Sequence, residues 1–302
     1  MTLRITCELA EGYRLLAMLS RRQLLSLAAA PLLAAPGKRT IGVQLYTVRG
    51  TLMKDSDHVL KTIADIGYKE IEGQGRIDLI ALAPKIKELG MAPISCHVET
   101  PLITGDWEKY KGMKPLPLEE AIESVKAIGV QYFTMAYIQP QARGDLDFYK
   151  KTADSMNHAG ELCKKAGLQF AYHNHAFEFG GKPGERAIDI FRERLDKKLV
   201  ALEMDVFWVS VAGNDPVEMM KEWKGRVQLL HLKDKEKGAA VQYSESVPKT
   251  EFKEVGSGVI DFPAILKAAP AAGVKHYFVE QDQTQGDPLD SLRKSFEYIQ
   301  SI

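Results

Sequence analysis

Short apolar runs rich in β-branched and aromatic residues alternate with longer amphipathic stretches from residue 41 to the end of the chain. Eight of the short runs are predicted to be strands: Ile41–Tyr46, Tyr68–Glu72, Ala92–His97, Gln131–Ala136, Leu168–Tyr172, Leu199–Asp205, Val227–Leu232 and Lys275–Glu280. Helical periodicity marks the intervals Val59–Ile66, Ile77–Leu89, Leu118–Ile128, Asp147–Ala166 and Ala187–Leu195. Eight strands separated by helices predict an α/β fold, a single-domain (β/α)8 TIM barrel over residues 41–302. A doubly wound sheet is the main alternative, but no GxGxxG follows the first strand.

Glycine marks the ends of several predicted helices. These glycines are Gly67, Gly90, Gly129, Gly167 and Gly273. Each stands shortly before the next apolar run, where a left-handed residue commonly ends a helix. The repeated order of helix, glycine and strand therefore supports a chain built from successive βα units.

The N-terminal segment is predicted to lie outside the barrel. Arg21 and Arg22 precede the moderately apolar run Ser26–Ala35, which ends in small residues suited to cleavage. This pattern is typical of a twin-arginine export signal, so residues 1–35 are interpreted as an upstream extension and a signal peptide. The expected location is the periplasm, without stable membrane insertion. The alternative is a chance Arg-Arg pair before an alanine-rich helix.

Composition argues against some classes of binding partner. The 302 residues include 40 basic and 40 acidic side chains, so no net charge favours nucleic acid or an anionic membrane. The three cysteines show no CxxC spacing, which argues against a disulfide framework. A small-molecule substrate is the expected partner.

Polar residues recur where the later predicted strands end. His173, Asp205, His231 and Glu280 each follow or end an apolar run. The C-terminal ends of parallel strands meet at one rim of a barrel, so these side chains are expected to converge. Imidazole nitrogens and carboxylate oxygens without thiolates suit Mn²⁺, Mg²⁺, Co²⁺ or Zn²⁺. The pattern predicts a divalent-metal site.

The chain from residue 41 onward resembles the sugar phosphate isomerase/epimerase family, whose members are xylose-isomerase-like metal-dependent TIM barrels. The motifs that carry the resemblance are YHNHAFEF at 172–179, DVFW at 205–208, HLKD at 231–234, GSGVID at 256–261 and EQD at 280–282. The resemblance implies a metal held by glutamate, aspartate, histidine and glutamate from four strand ends. The last three correspond to Asp205, His231 and Glu280.

The first ligand departs from the family pattern, because His173 stands where epimerases have a glutamate. Glu178, five residues later, is favoured as the replacement, since two carboxylates best neutralise a divalent ion. His173 is the alternative, and a helix N-terminal carboxylate is the other interpretation of Glu178. The predicted metal ligands are thus Glu178, Asp205, His231 and Glu280.

The remaining site residues are assigned from the same chemistry. Glu178 and Glu280 are the predicted acid/base catalysts, because a carboxylate close to the substrate can move the proton next to a polarised carbonyl. The predicted substrate-binding residues are His97, His173, His175, Trp208 and Lys233.

The expected function is isomerisation or epimerisation of a sugar or keto-sugar through an enediolate. A lyase, dehydratase or hydrolase acting on an oxidised glycoside is the first alternative, and export favours it because phosphorylated sugars are cytoplasmic. A non-catalytic sugar-binding protein is the second alternative. A DNA endonuclease of the same superfamily would need more histidines and a basic face.

Overall fold

The computed structural model describes residues 39–302, and the predicted signal peptide lies outside them. The strands of this part are β1 (Gly42–Gln44), β2 (Glu70–Gly73), β3 (Ala92–Val98), β4 (Tyr132–Met135), β5 (Gln169–His173), β6 (Val200–Asp205), β7 (Val227–Leu232), β8 (Asp234–Lys235), β9 (Phe252–Lys253) and β10 (His276–Val279). Strands β1 to β7 and β10 pair in parallel and close into a barrel in the order β1-β10-β7-β6-β5-β4-β3-β2. The predicted TIM barrel is therefore confirmed.

Helices cover the outside of the barrel, as the amphipathic intervals predict. The α-helices are Arg49–Leu52, Ser56–Ile66, Arg76–Glu88, Pro101–Thr104, Leu118–Lys126, Leu146–Ala166, Ala187–Arg194, Val206–Val211, Pro216–Glu222, Phe262–Ala272 and Pro288–Ser301. Within residues 39–302 none of them combines the length and the apolar character required to cross a bilayer. The glycines predicted to end helices all have positive φ, and the N–H of Gly167 donates to the carbonyls of Cys163 and Lys164.

An apolar layer fills the interior of the barrel. It consists of Ile94, Tyr132, Ala171, Ala201, Leu229 and Phe278, which pack together as a cluster separate from the larger core beneath the helices. Side chains alternate between the two faces of a strand, so the residue two positions later points to the same face. After four of these residues that later residue is a histidine or a glutamate, namely His173, Glu203, His231 and Glu280. The apolar layer is thus the floor on which the polar site is built.

The segment after β7 leaves the barrel and is closed at its base by Asp234. Strands β8 and β9 pair antiparallel at the start and end of this excursion. The Asp234 carboxylate accepts backbone N–H groups from Gly256 at 3.0 Å, Gly258 at 2.8 Å and Ile260 at 3.0 Å. These N–H groups of the GSGVI motif are therefore bound to the protein itself.

Candidate metal centre and active site

Four buried side chains converge at the C-terminal end of the barrel. One potential ligand atom from each of His173, Asp205, His231 and Glu280 lies within 4.8 Å of the others. His231 Nδ1 is 2.8 Å from Glu280 Oε2 and 3.8 Å from Asp205 Oδ2, and His173 Nε2 is 3.7 Å from the same Asp205 oxygen. Asp205, His231 and Glu280 thus lie together at one end of the barrel, as the sequence predicts.

Strand register accounts for this convergence. In the ladder between β6 and β7, Asp205 stands beside His231, and in the ladder between β7 and β10, His231 stands beside Phe278. Glu280 follows two residues after Phe278 and faces the same side of the strand. Each ligand therefore takes its place from a neighbouring strand that is itself fixed by backbone hydrogen bonds.

Glu178 lies elsewhere, so the expectation that it supplies the first ligand is corrected. Residues Phe177–Phe179 form a 3-10 turn, which folds the Glu178 side chain back toward β5. Its carboxylate accepts the Tyr172 hydroxyl and, at 2.9 Å, the N–H of His175. Glu178 is fully buried and does not line the cavity, so its predicted catalytic role has no support from the geometry. His173 occupies the fourth position of the group instead.

Lys233 is a buried cation within the carboxylate cluster. Its Nζ lies 2.8 Å from Asp205 Oδ2, 2.5 Å from Glu280 Oε2 and 2.8 Å from Asp282 Oδ2. Burial alone lowers a lysine pKa, but the three carboxylates outweigh it and raise the pKa of Lys233 well above its usual value. Lys233 was predicted to bind substrate. It is 1% exposed, and its ammonium group lies beneath the cavity rather than among the residues that line it.

The members of the group differ in ionisation. Burial raises the pKa of Asp205. Burial opposes protonation of His231, but Glu203, Glu72 and Glu280 outweigh it and raise the pKa of that ring well above its usual value, so a metal ion that binds here must displace a proton from His231. Burial, and then the positive charges of neighbouring groups, lower the pKa values of His173 and His175 well below the usual range, which leaves neutral imidazoles. Burial opposes ionisation of Glu280, but Lys233 and His231 outweigh it and lower the pKa of that carboxyl. Neutral imidazole and ionised carboxylate are the forms that bind metals.

Two further buried carboxylates, Glu72 and Glu203, lie against the histidines and were not predicted as site residues. Glu72 Oε1 is 2.6 Å from His231 Nε2, and Glu203 Oε2 is 2.8 Å from His97 Nε2. Burial and the adjacent Glu72 raise the pKa of Glu203 to about 8. Burial opposes protonation of His97, but the two glutamates outweigh it and raise its pKa to about 10. The sequence could have indicated a site role for Glu203, because it lies two residues before Asp205 and faces the same side of the strand.

A cavity of about 520 Å³ opens above this group. Four of the five predicted substrate-binding residues line it, namely His97, His173, His175 and Trp208. Several polar atoms around the cavity are buried and have no hydrogen-bond partner among residues 39–302: Glu99 Oε2, Tyr110 OH, His175 Nδ1, Trp208 Nε1 and Glu245 Oε1. A mixture of donors and acceptors beside aromatic faces matches a ligand with several hydroxyl groups.

The donor set fits a divalent ion. Two imidazoles and two carboxylates are all buried, and one nitrogen or oxygen atom of each lies within 4.8 Å of the others. Such a nitrogen and oxygen set suits first-row divalent metals. Lys233 already contacts two of these carboxylates, so the site carries a positive charge of its own before any ion binds.

Comparison with known proteins agrees with this architecture. The model of the xylose isomerase-like TIM barrel family matches residues 60–302. The inosose dehydratase of Geobacillus thermodenitrificans is 30% identical over 156 residues, which are 48% of this chain and 52% of that protein. The chain spans about half the length of the curated relatives it matches.

Two solved structures share the fold. A sugar phosphate isomerase/epimerase from Parabacteroides distasonis superposes with a TM-score of 0.71 at 24% identity, covering 89% of this chain and 96% of that one. The IOLI protein, solved with a bound zinc atom, superposes with a TM-score of 0.64 at 17% identity, covering 87% and 98%. These identities support the fold alone.

Proposed function

We propose that this chain, which belongs to the xylose isomerase-like TIM barrel family, is a divalent-metal-dependent enzyme that moves a proton next to the carbonyl of a sugar or keto-sugar. The observation that carries the proposal is the buried group His173, Asp205, His231 and Glu280 beneath a polar, aromatic-sided cavity. The reaction class we favour is isomerisation or epimerisation through an enediolate.

The residues that would hold the metal are these four. Two imidazoles favour Mn²⁺, Co²⁺ or Zn²⁺ over Mg²⁺, which prefers oxygen ligands, and the zinc atom of the IOLI protein supports this class. When bound, such an ion polarises a carbonyl and stabilises the negative charge that develops on its oxygen.

Different residues are suited to accept the substrate proton and to stabilise the negative charge that develops on oxygen. His175 lines the cavity with its Nδ1 unpartnered among residues 39–302 and with a lowered pKa, so it is neutral and able to accept a proton. Glu280 also lines the cavity and is the second acid/base candidate. Lys233 stays protonated and adds a fixed positive charge close to the reacting oxygens. Trp208 presents an indole N–H and an apolar face to a sugar ring.

Dehydration is the second candidate, and a specific observation favours it. The inosose dehydratases of Geobacillus thermodenitrificans and Clostridium perfringens each match about half of the chain. Elimination begins with the same proton abstraction, and one base such as His175 is sufficient for it. Epimerisation requires groups on both faces of the substrate, and the histidine at position 173 removes one of the two metal-bound glutamates used in this family.

The experiment measures proton exchange. Mn²⁺-loaded protein is incubated in D2O with a panel of keto-sugars and inososes, and proton NMR follows the hydrogen on the carbon beside the carbonyl. We expect exchange with at least one compound, loss of exchange in His175→Asn, and loss of exchange after chelation. Isomeric products indicate isomerisation or epimerisation, and unsaturated products indicate dehydration. Tight binding of the compounds without exchange would contradict the enzyme and indicate a sugar-binding protein.

Export through the N-terminal signal remains part of the proposal. A periplasmic enzyme meets free or glycosidic sugars. Fusion of residues 1–38 to a reporter that folds before export, expressed with and without Arg21 and Arg22 changed to lysine, tests it directly.

A further inference from the structure

Glu72 and Glu203 form a buried carboxylate pair on the far side of the ligand histidines from Asp205 and Glu280. Both glutamates are fully buried, and neither is among the residues that line the cavity. They therefore touch neither a substrate in the cavity nor solvent. A pair of buried acids is costly unless other groups compensate it, so its role needs a physical explanation.

We propose that Glu72 and Glu203 are positioning residues that fix which ring nitrogens His231 and His173 present to a divalent ion. The inference rests on the metal site of the proposed function. It adds two residues and a defined geometry to that site, and it predicts one ion per chain.

The two ring nitrogens of each histidine face opposite partners. His231 Nε2 is 2.6 Å from Glu72 Oε1, whereas its Nδ1 is 2.8 Å from Glu280 Oε2. His173 Nδ1 is 3.2 Å from Glu203 Oε2, whereas its Nε2 is 3.7 Å from Asp205 Oδ2. One nitrogen of each ring thus points toward the ligand carboxylates and the other toward the buried pair.

This arrangement determines the tautomers. A neutral imidazole carries one proton, and the nitrogen that binds a metal must be the one without it. A carboxylate beside the other nitrogen holds the proton there, orients the ring and makes the free nitrogen a stronger ligand. Glu72 therefore selects Nδ1 of His231 as the ligand atom. Glu203 Oε2 lies 3.2 Å from His173 Nδ1 without forming a hydrogen bond to it, and by this proximity it favours Nε2 of His173 in the same way.

His97 and Gln44 hold the carboxylate pair in place. His97 Nε2 lies 2.8 Å from Glu203 Oε2 and 3.0 Å from Glu72 Oε1, so one ring links both acids. The Gln44 amide donates to Glu72 Oε1 at 2.7 Å. His97 was predicted to bind substrate, and although its ring lines the cavity, its Nε2 is directed at the pair.

We call the arrangement in which Glu72 and Glu203 orient His231 and His173 the relay. The competing explanation is that a second ion binds between these residues. Ligand atoms of His97, His173, Glu203 and His231 also lie within 4.8 Å of one another. Filling both groups at once would make His173 and His231 bridge two ions through both nitrogens, which requires each ring to lose its last proton. Two such bridges in one buried site are chemically unfavourable, so the relay is the better account.

The test compares metal affinity in Glu72→Gln and Glu203→Gln with the unaltered protein by calorimetry with Mn²⁺ and Zn²⁺. Loss of a carboxylate behind a ligand histidine typically weakens metal affinity by about 10–100-fold, and we expect that range for each variant. The matched control is Glu70→Gln. Glu70 lies on the same strand as Glu72 and contacts a histidine, His276, at 2.9 Å, away from the ligand group.

Two measurements separate positioning from a general structural role. The absorption spectrum of the Co²⁺-loaded variants reports ligand geometry and should change, whereas that of Glu70→Gln should not. In the unaltered Zn²⁺ protein, ¹⁵N shifts should show His231 protonated at Nε2 and metal-bound at Nδ1, which requires no variant to fold.

Several outcomes would overturn the proposal. These are unchanged affinity in both variants, an equal loss in Glu70→Gln, the opposite tautomer of His231, or two ions bound per chain. Absence of metal binding by the unaltered protein would overturn the proposed function as well. Binding that does not respond to Glu72 and Glu203 would overturn the relay alone.

Discussion

Replacing Glu178 by glutamine should change how the stability of the protein depends on pH. Glu178 is fully buried, and burial raises the pKa of its carboxyl from the ordinary 4.5 to about 8, although hydrogen bonds from Tyr172 and His175 oppose the shift. The native protein therefore holds a proton that the unfolded chain releases above about pH 4.5. Stability must fall as the pH rises from 4.5 to 8, because over that range the native state binds more protons than the unfolded state.

The magnitude follows from the size of the shift. Each pH unit inside that window costs about 1.4 kcal/mol of unfolding free energy for one such group. Between pH 5 and pH 7 the loss is about 3 kcal/mol. Glutamine imitates the protonated acid, since its amide can donate to the Tyr172 oxygen while its carbonyl accepts the N–H of His175. The variant should therefore fold and lack this loss.

The assay is chemical denaturation with chelator present, at pH 5, 6 and 7, for the unaltered protein and Glu178→Gln. The difference between their unfolding free energies should grow by about 3 kcal/mol across the series. Glu120→Gln, at an exposed position on the helix Leu118–Lys126, is the control. Its unfolding free energy should change with pH in the same way as that of the unaltered protein. A pH-independent difference would show that Glu178 is ionised throughout and would refute the argument. In a separate calorimetric titration without chelator, Mn²⁺ affinity should fall in His173→Gln and stay nearly unchanged in Glu178→Gln.

Two further predictions concern the carboxylate cluster and the loop that follows β7. Lys233→Met leaves the buried carboxylates of Asp205 and Glu280 and the partly exposed one of Asp282 without their cation, so the chelated variant should lose about 3–5 kcal/mol. Mn²⁺ should raise its melting temperature more than that of the unaltered protein; an equal rise would contradict this. Gly258→Ala should destabilise by ~1–3 kcal/mol, because a Cβ there would overlap the Lys235 carbonyl and the Asp234 carboxylate. Gly50→Ala is its control, since nothing lies within 4 Å of a Cβ at that exposed helix position, and melting curves for the two should move in opposite directions.

The sequence was sufficient for the barrel and for three of the four residues that converge at its rim, because both depend on local patterns. Each strand shows its apolar run, and Asp205, His231 and Glu280 stand where such runs end. The first strand was predicted to reach Tyr46, but it ends at Gln44 because Leu45–Val48 form a 3-10 turn. The Gln44 side chain caps this turn by accepting a hydrogen bond from the N–H of Tyr46.

The placement of Glu178 could not be predicted in the same way. Its assignment assumed that the chain stays extended after His175, which would direct the carboxylate away from Phe177 and Phe179. The turn at Phe177–Phe179 reverses that direction, and the hydrogen bond from the N–H of His175 stabilises it. Nothing in the sequence separates these two conformations, since both bury the phenyl rings.

The role of Glu72 depends on closure of the barrel. It lies 159 residues before His231, on a strand that is not adjacent to β7. In the sequence Glu72 ends a short predicted strand two residues after Glu70, and nothing there distinguishes it from a surface acid. Only the closed barrel, in which side chains from non-adjacent strands meet across the interior, brings it to the imidazole.

The hydrogen bonds of Asp234 to Gly256, Gly258 and Ile260 allow the segment between these residues to be replaced as a unit. One carboxylate at the end of β7 binds the returning chain at three backbone groups, so the base of the excursion stays closed whatever sequence lies between. That intervening segment supplies Glu245 and Val247 to the cavity wall, while His231 and Lys233 sit on the barrel side of the anchor. This part of the cavity wall can therefore diverge, in evolution or by loop grafting, without altering the proposed metal centre at the end of the strand.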